Sequence, residues 1–110
     1  MSLVPARHNF KIYEGATFYK RITYKVSGAV VDLTEYKEAW LIVKDEPKGT
    51  ILLELPTLSM GGVGGTIDIL IPASTTSSFL WEQGVYELFV KDPLERVDVI
   101  LHGSFKVVPF

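Results

Sequence analysis

Short runs that alternate apolar and polar residues, each cut off by a cluster of turn residues, recur from one end of this chain to the other. That period of two is the pattern of β-strands with one face buried, and the sequence offers no long stretch of helical period. Asn9 to Tyr13 reads as a first strand, stopped at Glu14-Gly15. Thr17 to Val26 follows, with Phe18, Ile22, Tyr24 and Val26 on one face. Lys20 falls on the same face, which places it at a strand end or a sheet edge. A short segment from Ala29 to Leu33 comes next, then strands over Glu38–Lys44 and Thr50–Leu55. The Asp45-Glu46-Pro47-Lys48-Gly49 turn joins the last two. Thr66–Ile71 alternates with Ile67, Ile69 and Ile71 inward. Val85–Lys91 does so with Tyr86, Leu88 and Val90 inward. A hairpin loop over Asp92–Arg96 leads to a last strand over Val97–Val107, with a kink expected at Gly103. Pro72–Trp81 is the one place for a helical turn, with Ser74 or Thr75 as its cap. About seven or eight strands with turns at this spacing predict an all-β fold: an immunoglobulin-like or jelly-roll-type antiparallel β-sandwich.

The length of 110 residues suits a single domain over residues 9–110, preceded by an N-terminal arm or tail over residues 1–8 that contains Pro5 and Arg7. The chain has no cysteine, so neither a disulfide framework nor a thiolate metal site holds it together. Folding in a reducing cytoplasm is expected. Net charge is -2 with acids and bases interspersed, which gives no basic footprint for nucleic acid or an anionic membrane. The opening MSLVPARHNFKIYEG lacks the unbroken apolar stretch of a cleaved leader.

The residues that tempt a catalytic reading fit structural roles better. The glycines of Gly61-Gly62-Val63-Gly64-Gly65 precede a strand, whereas a phosphate-binding loop opens a helix. Ser74, Thr75, Thr76, Ser77 and Ser78 have no base motif near them, and the two histidines, His8 and His102, lack metal-ligand spacing. Asp45/Glu46 and Asp92/Glu95 read as solvated turn residues, too few in each loop for calcium. No catalytic residue, cofactor or metal site is expected, and the chain reads as a binding protein without enzymatic activity.

Hydrophobic residues make up 47% of the chain, high for a small domain with much surface. Strict alternation turns Trp40, Ile42, Leu52, Leu70, Phe89 and Ile100 outward. Outward positions are mostly polar where a sheet meets water, so these six are the candidate protein interface. Trp40 and Phe89 are also candidates for stacking on sugars.

Several segments resemble a family of small proteins encoded in the virion gene clusters of tailed bacteriophages and prophages. Val31-Asp32-Leu33-Thr34-Glu35-Tyr36 and Ala39-Trp40-Leu41-Ile42-Val43-Lys44-Asp45 are similar to a "P-V-D-L-T-G-Y … A-x-x-x-V-R-D" segment of that family. Glu14-Gly15-Ala16-Thr17-Phe18 is similar to its "Q-G-A-T-F" opening. Gly65–Ile69, Ile71-Pro72-Ala73, Gly84–Leu88, Arg96-Val97 and Leu101–Val107 extend the resemblance from about Tyr13 to Pro109. Glu35 departs from the pattern by standing in place of a glycine, and Trp40 and Ile42 depart by standing where polar residues are expected. The resemblance implies a virion role; the chain's size and its outward apolar residues favour the head, as a capsid decoration or cement protein similar to the staple proteins of short-tailed phages. Its partner would be the major capsid protein or another virion protein, with the chain itself a homo-oligomer, a dimer, in the assembly. A tail or baseplate accessory module and a carbohydrate-binding module for host glycans are the other readings.

Overall fold

The computed structural model describes residues 6–109. Two sheets face each other. The larger has the order β1 and β2 at one edge, then β11, β10, β6 and β7. These are Ala6–Arg7 (β1), Phe10–Tyr13 (β2), Val97–Val108 (β11), Gln83–Lys91 (β10), Glu38–Lys44 (β6) and Ile51–Leu55 (β7). The smaller has the order β3, β9, β8, formed by Phe18–Thr23 (β3), Thr66–Ile71 (β9) and Ser59–Met60 (β8). A small hairpin of Lys25–Val26 (β4) and Ala29–Val30 (β5) stands apart from both. The protein is an all-β sandwich, and this strand order is that of an immunoglobulin-like fold.

The core lies where the alternation puts it. Ala39, Leu41 and Val43 of β6, Tyr86, Leu88 and Val90 of β10, and Ile67, Ile69 and Ile71 of β9 are all buried. Phe10, Ile12, Phe105 and Val107 join them from β2 and β11. Phe10 lies flat against Tyr86 at 4.5 Å between ring centres, and the Tyr86 hydroxyl donates to the His8 carbonyl at 2.5 Å. Burial pushes the Tyr86 phenol above its ordinary range.

Several expectations need correcting. The first strand is parallel, not antiparallel: β1 and β2 both run alongside β11 in the same direction. Residues so far apart in sequence need no hairpin, so the chain is free to enter in either sense. Of the expected arm over residues 1–8, residues 1–5 lie outside the described residues, while Ala6 and Arg7 pair with Leu101 and His102. The strand expected over Thr17–Val26 divides at Tyr24. The irregularity of the last strand lies at Ile100, between the pairs Leu88–Leu101 and Phe89–Val99, not at Gly103.

The helical turn is Ala73–Thr76 (α1), and neither Ser74 nor Thr75 caps it; Pro72 occupies that position. Its anchor is Thr76, which is fully buried. The Thr76 hydroxyl accepts from the Gly15 N–H at 3.1 Å and lies 2.9 Å from the Ala16 carbonyl, tying α1 to the turn before β3. Thr76→Val keeps the shape and removes these bonds, so it is expected to cost about 1–2 kcal/mol in urea denaturation. An unchanged midpoint would mean that solvent replaces the hydroxyl.

Asp92 is also not the solvated turn residue expected. It is buried, accepts from the Leu94 and Arg96 N–H groups at 2.9 and 2.8 Å, and pairs with the Arg96 guanidinium at 2.8 Å. Burial alone would raise its pKa, but these hydrogen bonds and the Arg96 charge together outweigh it, and the carboxyl is held below the usual range. The stabilisation is therefore present above the unfolded-state value of about 4 and is lost as pH falls through the folded one. Asp92→Asn is expected to be less stable than the native chain at neutral pH and to lose less on acidification, read from denaturation midpoints at the two pH values. Equal pH slopes would remove Asp92 from the account of acid sensitivity.

Candidate functional site

Three of the six outward candidates meet on one surface. Trp40 and Ile42 of β6 point away from the core, and register sets Phe89 of β10 directly opposite Trp40. Their rings stack at 5.3 Å between centroids with planes 7° apart. Val99 of β11 pairs with Phe89 on its other side, and Val85 stands opposite Lys44. The result is an apolar strip across the three central strands of the larger sheet. All five of these side chains are half-buried against one another, and Val97 and Ile51, each about half exposed, extend the strip at its margins.

Charges of both signs surround it. Glu38 and Lys91 form an ion pair of 3.7 Å at one end. Towards the other end, Glu54, Glu87, Lys44 and Arg7 stand on the same face, and none of them makes an ion pair among the described residues. Between the strip and β1 runs a shallow groove of about 540 Å³ with Ile42, Val85, Glu87, Val99, His102 and Arg7 on its walls. An apolar centre within a polar, charged rim is the anatomy of a protein-docking surface.

The other three candidates lie elsewhere. Ile100 is buried in the core, because it is the extra residue of the β11 bulge and turns inward with Leu101. Leu52 is the extra residue of a second bulge, between Val43–Leu53 and Lys44–Ile51, and it too packs against the core. Leu70 does point outward and is 54% exposed, but it belongs to β9 on the opposite sheet, beside Tyr19. Its surroundings are polar: Arg21 reaches Asp68 at 2.8 Å, and the Tyr19 hydroxyl donates to the same carboxylate at 3.1 Å. The Arg21 hydrogen bond holds the Asp68 carboxyl below its usual range. Val85 and Val99, which sequence reasoning left out of the interface, belong in it. For Val85 the signal was present in the alternation of β10; for Val99 the bulge concealed it.

The glycine run forms a 3-10 turn over Gly62–Gly64 that ends in Gly65, at φ 66°. A Cβ on Gly65 would lie 2.6 Å from the Val31 carbonyl oxygen, so glycine is required by both conformation and space. Among the described residues, no three His, Cys, Asp or Glu side chains come together as a metal site, and no helix is long and apolar enough to cross a membrane.

An immunoglobulin-like sandwich with an apolar, charge-rimmed face on its larger sheet is the class of protein that fold and surface define. No family model matches the sequence, and no curated protein does. Among solved structures, a chain from a photo-crosslinking study of multimeric cell-adhesive interactions of VGSC beta subunits is similar in shape. It has 14% sequence identity and a TM-score of 0.47, over 98% of this chain and 97% of that one.

Proposed function

We propose that this chain is a non-enzymatic structural protein of a tailed-phage virion, decorating and stabilising the outer capsid by docking on major capsid subunits. The observation that carries the docking part is the Trp40–Phe89 stack with Ile42, Val85 and Val99 on the outer face of the larger sheet. Water-facing sheet positions are ordinarily polar, so an aromatic pair set in an aliphatic strip is best used where a partner covers it. The virion part is supported by the motif resemblance from Tyr13 to Pro109. In this reading the protein folds in the host cytoplasm, and copies pair as dimers in the assembly.

Purified protein added to heads that lack it should bind saturably, with stoichiometry fixed by the number of capsid positions; absence of binding would sink the head assignment. Immunogold labelling on tails in place of heads would move the protein to the tail or baseplate. A glycan platform fits the site less well. Sugar stacking uses an open ring face, and Trp40 and Phe89 each spend one face on the other.

A further inference from the structure

The side of the sandwich away from β7 and β8 carries a strand edge that, among the described residues, pairs with no other strand. Among the described residues β3 pairs with β9 along one side and with no strand along the other, because the N-terminal strand joins the larger sheet. Alternate N–H and C=O groups of Phe18–Thr23 therefore face outward, a template for one more strand. Beside this edge the seam between the two sheets is open. At one end Phe10 and Phe18 close it, with ring centroids 5.4 Å apart. At the other, where the small Ala6 of β1 stands, a groove of about 400 Å³ opens. Its walls are Ile22, Tyr24 and Val26 on one side and Ala6, Ile100 and Leu101 on the other. Tyr24, Ile100 and Leu101 belong to the core, so a side chain entering the groove meets the core directly.

Charge narrows what can enter. Lys20 is in register with the fully buried Ile69, which puts it on the inward side of β3, yet it is exposed because its strand is an edge. Lys25 stands at the groove rim. Neither lysine makes an ion pair among the described residues. An inward lysine on an edge repels a strand of unmatched character. The same lysine welcomes one that sets a carboxylate opposite it.

We propose that the free edge of β3 is a strand-addition site for an extended segment of a partner protein, with an apolar residue opposite Ile22 and an acidic residue opposite Lys20. Those two positions are two residues apart on one face, so the segment reads apolar–any–acidic. Backbone hydrogen bonds supply adhesion, and the groove and the lysine supply selectivity. This site is separate from the Trp40 face and stands whether or not that face binds capsid.

The test uses the full chain, labelled with nitrogen-15, and a synthetic peptide. The peptide has threonine at outward positions, valine at its centre and glutamate two residues to either side, so that either strand direction sets a glutamate opposite Lys20. Saturable shifts confined to Phe18–Thr23 and the groove residues are expected, with slowed amide exchange at alternate β3 positions. The same peptide with lysine for glutamate should bind roughly tenfold more weakly. Ala6→Trp, at an exposed position, should fill the groove and remove binding without a change in melting. Lys20→Glu should reverse the preference between the two peptides, which a loss of folding would not do. An absence of shifts, shifts centred on Trp40 and Phe89, or equal binding of both peptides would overturn the proposal.

Discussion

Trp40→Ala is expected to weaken binding to phage heads by about 2–4 kcal/mol, upward of roughly thirtyfold, while the domain stays folded. The two effects separate because of where the ring lies. Trp40 is half-buried on the outer face, where its ring stacks on Phe89, so its loss leaves the core between the sheets intact. Losing that stack should cost the fold only about 0.5–1.5 kcal/mol. In a covered interface the same side chain would be fully desolvated at the centre of the strip, where aromatic anchors carry most of the energy. Co-sedimentation with heads reads the first quantity and denaturant unfolding reads the second. Leu70→Ala is the matched control: it removes an exposed apolar side chain from the opposite sheet and should leave binding unchanged. Undiminished binding of Trp40→Ala, or an equal loss in Leu70→Ala, would remove the larger sheet's face from the docking account.

Those two residues also show what alternation reveals and what it withholds. Parity correctly turned both Trp40 and Leu70 outward, but it says nothing about which strand lies beside which. The two residues proved to be on different sheets because the pairing of β6 with β10 and of β9 with β3 is set by contacts distant in sequence. Leu52 and Ile100 failed for another reason. A bulge adds one residue to one strand of a pair, and beyond it every inward–outward assignment shifts by one. Nothing in Ile51-Leu52-Leu53 or Val99-Ile100-Leu101 marks the insertion, since aliphatic residues stand at every position. Asp92 looked like any turn aspartate, and its burial follows only from the chain folding back over Arg96. In β9 and β10, where buried positions recur at every second residue with no inserted residue, the inward set was fully legible.

The strand that no local pattern could place is the N-terminal one, and a single glycine permits its position. Gly103 of β11 faces Tyr86 across one side, while the backbone of His8 passes over it. A Cβ at Gly103 would fall 2.1 Å from the His8 carbonyl oxygen and 2.7 Å from its carbon, both backbone atoms that no rotamer change can move aside. That same carbonyl accepts the Tyr86 hydroxyl, and the His8 N–H donates to the His102 carbonyl at 2.8 Å, so the crossing point is fastened on both sides. Gly103→Val is therefore expected to push β1 and the start of β2 off β11, at a cost of about 3 kcal/mol and upward of about 10 °C in Tm for a domain of this size. Loss of the strand would also expose the backbone at Arg7 and Lys11, so limited trypsin treatment should cut there well before the rest of the domain is digested. A native melting temperature together with unchanged resistance at Arg7 and Lys11 would mean that the N-terminal strand is not held where the close approach over Gly103 puts it.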